Sequence, residues 1–148
     1  MKKIILALAI ILTVGITSAF ANETTNPEAN SKALATFKRE FAGVKVEKWE
    51  SVNDISKAVF ILNGGRVEAY FNSEGEFMGT ARNLLFTELP LALSKAINNR
   101  YADAAVYKII EYDLGTETIY SMVIEKGKKK FQVKADSFGD LTVEKMKP

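Results

Sequence analysis

The sequence predicts an α+β domain in which two helices pack on one antiparallel sheet of about eight strands. The first observation behind this prediction is the stretch Ala58–Ala81, where apolar and polar residues alternate between two turn sequences. Asn63-Gly64-Gly65 supplies the residues that a tight hairpin turn requires, and Asn72-Ser73-Glu74-Gly75 supplies a second turn. This stretch therefore predicts three antiparallel strands with one buried and one open face.

The second observation is an internal repeat, because the order of one helix and four strands occurs twice, at residues 31–83 and 87–147. Gly75 and Gly139 lie in equivalent turns, and the apolar phase of the strand that precedes each turn is the same. Each repeat carries one apolar helix stripe and one apolar sheet face. Both helices are therefore expected on the same face of a shared sheet.

The two helices are predicted from apolar stripes and from their end residues. Ser31 is a suitable cap for a helix that runs to about Ala42 and ends before Gly43. Thr87 is a suitable cap for a second helix, residues 88–101, with Pro90 in its first turn. Residues three, four or seven positions apart form the stripes: Leu34, Phe37 and Phe41 in the first, and Leu89, Leu93, Ala96, Ile97 and Tyr101 in the second.

The other strands follow from apolar runs between turn residues, at residues 44–51, 105–112, 118–125, 129–135 and 141–145. Val59–Leu62 is apolar on both faces, which predicts an inner strand. Alternation places Val67, Ala69 and Phe71 on the helix-facing side of the third strand, with Phe131 in the equivalent place of the second repeat. Phe71 and Phe131 are therefore both expected in the core.

Residues 1–21 have the three parts of a secretory signal peptide. Lys2 and Lys3 are the basic start, residues 4–16 are apolar, and Ala19-Phe20-Ala21 is a cleavage sequence. An uncut membrane anchor is the alternative interpretation. Residues 22–30 are expected to be a flexible leader, and residues 31–148 a single domain, in the periplasm or outside the cell.

Composition excludes several chemistries. The sequence contains neither Cys nor His, so disulfides, the usual zinc sites, and Ser-His-Asp or Cys-His catalysis are ruled out. Without Lys2 and Lys3 the 20 basic residues become 18, equal to the 18 acidic residues. This balance offers no argument for nucleic acid as a partner. No cofactor or metal is expected.

Three stretches stand in a distinctive order: a strand that ends in Trp49, the turn Asn72–Phe77 and the helix start Thr87–Ala92. In this order the chain resembles, over roughly residues 31–147, the PepSY-like domains of secreted Bacteroidetes proteins. That family is similar in fold to the beta-lactamase inhibitor protein. The resemblance implies a curved eight-stranded sheet with helices behind it and a non-enzymatic, protein-binding or inhibitory role. It implies no particular functional residue.

The candidate binding surface is the open sheet face. Large aromatic side chains and Arg on such a face are the composition of binding hot spots, although they also stabilise sheets by cross-strand pairing. Tyr70 is expected to be exposed there, whereas Trp49 is assigned either to this face or to the end of the core. Alternation of side chains along each strand places the following residues on the open face: Trp49, Arg66, Glu68, Tyr70, Tyr107, Tyr120, Met122, Lys130, Gln132 and Lys134.

The predicted function is that of a non-enzymatic binding module that engages a protein or peptide through the open face. The alternative is an envelope protein that binds a small molecule or ion in a pocket between helices and sheet.

An enzyme would require convergent carboxylates in a cleft, and the spacing of the acidic residues in the sequence singles out no such pair. Lys126 and Lys128–Lys130 form a basic cluster, which we interpret as a solvated strand whose lysines discourage edge-to-edge pairing rather than as a site for nucleic acid or an anionic glycan. Asp136, Gly139 and Asp140 favour a plain turn over a calcium loop.

Overall fold

The computed structural model describes residues 30–145, and the predicted signal peptide and most of the leader lie outside this range. The described chain forms two helices and one open, eight-stranded antiparallel sheet whose strands lie in sequence order. This arrangement confirms the predicted class and strand number. The strands are β1 (Val46–Val52), β2 (Ile55–Leu62), β3 (Gly65–Phe71), β4 (Phe77–Leu84), β5 (Ala105–Asp113), β6 (Thr118–Lys126), β7 (Lys129–Asp136) and β8 (Leu141–Lys145).

The helix ends differ from the prediction: Asn30 rather than Ser31 caps the first helix, Pro90 delays the start of the second, and both helices end slightly earlier. Helix α1 (Ser31–Glu40) is capped by Asn30, whose side-chain oxygen accepts a hydrogen bond from the Lys32 backbone N–H at 3.0 Å. Helix α2 (Leu91–Arg100) begins only after Pro90, and residues 86–88 form a separate 3-10 turn. The residue before a proline is driven out of the helical region, and Leu89 is indeed extended, with ψ at 147°.

The chain divides into two compact units. Within the described range, unit 1 comprises residues 30–64 and 68–78, and unit 2 comprises residues 65–67 and 79–145. In each unit we call the side of the strands that packs against the unit's own helix the inner face, and the opposite side the outer face.

The core of unit 1 is a cluster of aromatic rings beneath α1. Phe37 is almost completely buried, and its ring centroid lies 5.0–6.4 Å from those of four other aromatic side chains. Phe71 is also completely buried, as predicted. Edge-to-face and tilted packing of this kind adds to the free energy gained by burying the rings. The cluster consists of Phe37, Phe41, Trp49, Phe60, Phe71 and Phe77.

The core of unit 2 is mainly aliphatic and lies between α2 and the inner face of strands β5 to β8. Leu93 and Ile97 of α2 are buried against residues of β6 and β7. Phe131 is only half-buried and packs on Tyr101 with ring centroids 5.9 Å apart. The prediction that Phe131 is buried as completely as Phe71 is therefore wrong, because Phe131 lies at the margin of this core.

The two predicted glycine turns share a set of hydrogen bonds. Asn72 and Glu76 are joined through backbone and side chain, with the Asn72 side-chain oxygen accepting the Glu76 N–H at 2.9 Å. Asp136 and Asp140 repeat this pattern at 3.0 Å. Gly75 approaches α1 and Gly139 approaches α2, both with positive φ. Positive φ and close approach to a helix are two reasons for glycine at these positions.

Candidate binding surface

The outer face of unit 1 carries a network of positive and negative side chains that alternate across strands β1, β2 and β3. Lys57 lies 2.6 Å from Glu50 and 3.5 Å from Glu68, and Lys48 lies 2.9 Å from Glu50. The Tyr70 hydroxyl donates a hydrogen bond to Glu68 at 2.7 Å. We call these five residues the outer network. Its members restrict one another's rotamers, so this surface is ordered in advance of any contact.

Glu50 is the centre of the outer network. Partial burial alone would raise the pKa of Glu50, but hydrogen bonds from Lys57 and Lys48 and their positive charges outweigh it, and the pKa is lowered. Glu50 is therefore ionised at neutral pH. The carboxylate holds two lysines from different strands on one surface.

Tyr70 lies on the outer face, as its phase predicts, but it is not an exposed ring. Only 8% of Tyr70 is accessible, and Glu68 beside it is half-buried. The expectation that Tyr70 is exposed is therefore wrong, and truncating it would disturb packing as well as any contact surface. Arg66, on the same face of β3, is exposed.

The outer face of unit 2 carries a second ordered cluster. The Tyr107 hydroxyl donates to Glu125 at 2.9 Å, and Lys130 lies 3.3 Å from the same carboxylate. The Gln132 amide nitrogen donates to the Ser121 hydroxyl at 2.8 Å. We call these five residues the outer cluster. Tyr107 and Gln132 are half-buried, Lys130 is exposed, and all three lie on the predicted face.

Glu125 and Lys130 of the outer cluster stabilise each other's charged forms. The hydrogen bond from Tyr107, followed by that from Lys130, lowers the pKa of Glu125. The hydrogen bond with Glu125, followed by that with Tyr107, raises the pKa of Lys130. The tyrosine, glutamate and lysine therefore form one polar unit that joins β5, β6 and β7.

Two predicted surface residues of β6 lie in the core instead. Tyr120 is 4% accessible and Met122 is completely buried, and both belong to the cluster beneath α2. The cause is the register of the β6–β7 hairpin, which places Met122 opposite Val133 and Tyr120 opposite Ala135. Opposite residues in an antiparallel pair share a face, so Met122 lies in the core together with the fully buried Val133.

Trp49 also lies on the inner face. Its ring packs 5.8 Å from Phe37 and 5.9 Å from Phe71, and the residue is half-buried. Simple alternation along β1 fails because the register shifts between Val46 and Lys48, where a bulge adds one residue. Of the two assignments considered for Trp49, the structure supports the core.

Sequence reasoning missed Glu50, Lys57, Ser121 and Glu125. The two-residue turn Gly127-Lys128 gave the available signal for the last two, because it sets Lys126 opposite Lys129 and so places Glu125 beside Lys130. Glu50 could not be placed from alternation, since the bulge in β1 is not visible as a pattern. Lys57 could not be placed because β2 carries apolar residues on both faces and so shows no clear alternation. Lys134 was placed correctly, on the outer face opposite Ser121.

The hydroxyl of the buried residue Tyr120 lies at one side of the unit 2 core. The Tyr120 hydroxyl is hydrogen-bonded to Glu111, whose carboxylate accepts from Arg82 at 2.6 Å. Burial, followed by the negative charge of Glu111, raises the pKa of Tyr120 to about 12. Tyr120 is therefore protonated at neutral pH and serves as a donor, which explains how a tyrosine is accommodated in this core.

Two further properties bear on function. Among residues 30–145 no group of three acidic, His or Cys side chains is placed to hold a metal ion. Neither helix of that range has the length and apolarity needed to cross a membrane.

The fold is similar to several solved structures from Bacteroides. A DUF2874 family protein from Bacteroides uniformis matches with a TM-score of 0.72 and 15% identity, covering 79% of this chain and 89% of its own. A DUF2874 family protein from Bacteroides ovatus matches with a TM-score of 0.71 and 19% identity, over 83% and 89%. A BLIP-like protein from Bacteroides fragilis matches with a TM-score of 0.69 and 19% identity, over 88% and 92%.

At these identities the similarity shows the fold alone, which is that of the BLIP-like proteins. No family model matches the sequence, and neither does any curated protein. The class that the structure defines is therefore an α+β, BLIP-like fold, and the PepSY-like resemblance of the sequence is not shown by these comparisons.

Proposed function

We propose that this chain is a non-enzymatic binding module of the cell envelope that engages a protein or peptide through the outer face of its sheet. The observation that carries the proposal is the outer cluster of unit 2, in which Tyr107, Glu125 and Lys130 are already joined by hydrogen bonds. A partner that meets ordered side chains loses less conformational entropy than one that must order them. An amphipathic tyrosine held in this way suits an interface.

The outer faces also differ from a plain solvated sheet. Val123 and Ser121 lie on the outer side of β6 and are only 4% and 6% accessible, although α2 packs on the opposite side. Their neighbours Tyr107 and Gln132 therefore form a closely packed layer with a charged margin at Lys130 and Lys134. A packed centre with a polar margin is the usual anatomy of a protein interface.

The alternative is a small molecule or ion bound between helix and sheet. The helix–sheet layer of unit 1 is filled by rings whose centroids lie 4.9–6.4 Å apart. That of unit 2 contains fully buried Leu93, Ile97, Met122 and Val133. Unit 1 has a groove beside β1, lined by residues 43–47 and Ile61, but it is open to solvent. These features favour the outer face over an internal pocket.

The proposal includes the architecture and location expected from the sequence. The matching turn geometry at Gly75 and Gly139 supports a duplication of one helix-and-four-strand unit. The placement of both helices on one face and the PepSY-like family are carried over from the sequence. The predicted signal peptide supports export. A structural neighbour from Bacteroides eggerthii, with a TM-score of 0.66 and 17% identity over 79% of this chain and 88% of its own, is described as a predicted periplasmic protein.

The test uses residues 22–148, immobilised and exposed to envelope extract, followed by titration of the captured partner. We expect Tyr107→Ala to weaken binding at least tenfold, because truncating a hot-spot aromatic costs binding about 2 kcal/mol or more. We expect Lys130→Glu to weaken it too, whereas Lys95→Glu, the same charge change on an exposed residue of α2, leaves it unchanged. Equal effects of the two lysine variants, or none from Tyr107→Ala, would contradict the proposal.

A further inference from the structure

The β6–β7 hairpin of unit 2 ends in lysines that the outer cluster does not use. Lys126 and Lys129 face each other across the turn, and Lys128 lies within it, after Gly127 at φ +63°. We call these three lysines the basic tip. All three are exposed, and none has an ion pair with any of residues 30–145. Their charges are therefore available to an external anion.

Other basic residues lie near the basic tip. Lys130 is the next residue of β7, and Arg100 lies over the ring of Tyr101, which in turn packs on Phe131. The acidic residues near this end are Glu125, already engaged by Lys130, Asp103, which lies two residues before β5, and Glu144, which lies opposite Gln132 in β8. This end of unit 2 therefore carries more basic than acidic side chains: Arg100, Lys126, Lys128, Lys129 and Lys130 against Asp103, Glu125 and Glu144.

The other end of the same strands is acidic. Asp113 closes β5 opposite Thr118, and Asp136 closes β7 opposite Ile119, with Glu117 and Asp140 in the adjoining turns. A nine-residue strand such as β6 spans roughly 27 Å at about 3.4 Å per residue. Unit 2 therefore has opposite charges at the two ends of its strands, although the chain without Lys2 and Lys3 is neutral.

We propose that the basic tip docks unit 2 on an anionic lipid surface. A hairpin tip projects outward, which suits a flat surface with many charges better than a single anion that needs converging donors. Its cations are lysines, mobile point charges without the fixed fork with which arginine recognises one phosphate. Clustered lysines near anionic headgroups each add to membrane affinity. The acidic far end favours the orientation with the tip toward the membrane.

This inference does not rest on the proposed outer-face function, because the basic tip shares no residue with the outer cluster, although Lys129 and Lys130 are neighbours in β7. The tip lies at one end of the strands and the outer face along their side. A membrane bound at the tip would therefore leave the outer face accessible to a protein partner. The two proposals can therefore fail independently.

The test is flotation of residues 22–148 with vesicles, omitting residues 1–21 because their apolar segment would itself bind lipid. Vesicles contain equal parts of phosphatidylglycerol and phosphatidylcholine, or phosphatidylcholine alone. We expect binding only to the anionic vesicles at about 0.01 M salt and its loss near 1 M, as the screening length falls from about 30 Å to about 3 Å. Replacing all three lysines of the basic tip with Gln should weaken binding roughly 100-fold.

The matched control is Lys38→Gln, Lys45→Gln and Lys95→Gln together, which removes three exposed lysines elsewhere and changes net charge equally. The control should bind as the unchanged protein does. The inference is overturned if the tip variant binds normally, if the control loses as much affinity, or if no anionic vesicle is bound. Binding of soluble polyphosphate without binding of vesicles would also overturn it, in favour of a soluble polyanion.

Discussion

Phe37→Ala is expected to destabilise the protein by about 3–5 kcal/mol, the usual cost of truncating a buried phenylalanine. Phe37 is 2% accessible and contacts the rings of Phe41, Trp49, Phe60 and Phe71. Its removal leaves a cavity between α1 and the strands of unit 1. Because domains of this size have a total stability of about 5–15 kcal/mol, the variant should show a much lower midpoint in urea unfolding.

The control for this prediction is Phe138→Ala, since Phe138 is 83% accessible at the tip of a turn. Its truncation should change stability by no more than about 0.5 kcal/mol. Similar unfolding midpoints for the two variants would show that the aromatic cluster of unit 1 does not pack as described. The emission of Trp49, the only tryptophan, reports directly on that cluster.

Gly75→Ala is expected to be the most disruptive small substitution in unit 1. Gly75 has φ +77°, and an added Cβ would lie 2.6 Å from the Lys32 carbonyl carbon and 2.7 Å from the Ala33 nitrogen. These are backbone atoms of α1, so the helix or the turn must move. The left-handed conformation alone costs an L-residue about 1–2 kcal/mol, and the displacement of the helix adds to it.

The matched comparison is Gly64→Ala, because Gly64 has φ +79° but nothing within 4 Å of its Cβ position. Urea unfolding should therefore show a cost of about 1–2 kcal/mol for Gly64→Ala and a clearly larger one for Gly75→Ala. If the two costs are equal, the Gly75 turn does not pack on α1. The difference between the variants isolates the contact from the backbone conformation.

The sequence predicts the elements of this fold better than their faces. Turn residues such as Asn63-Gly64 and Gly127 separate regular apolar runs, and they predict all eight strands because turn chemistry is local. The predicted start of α2 is too early because Thr87 resembles a helix cap, whereas Pro90 forces Leu89 to be extended. The cap residue Thr87 and Pro90 are both local signals, and they indicate different starts for the helix. The observed start is the one that Pro90 indicates.

The candidate surface was predicted less well because faces depend on register. A one-residue change of phase moves every side chain to the other face, and the bulge in β1 made this change for Trp49. Alternation within β3 and β7 was reliable, so Arg66, Glu68, Lys130 and Gln132 were placed correctly. The partners Glu50 and Lys57 come from neighbouring strands, and only the assembled sheet brings these charges together. Glu125 is different, because the turn at Gly127-Lys128 already sets it opposite Lys130.

The central claim is that a partner binds the outer face, and the absence of Cys from the sequence permits a direct test. Lys134→Cys places a single thiol on the outer face of β7, and Lys95→Cys places one on α2. Each is coupled to the same bulky maleimide and used to capture protein from envelope extract. We predict that the label at position 134 abolishes capture of the partner while the label at position 95 has no effect. Undiminished capture with the label at position 134, or loss only with the label at position 95, would contradict the account.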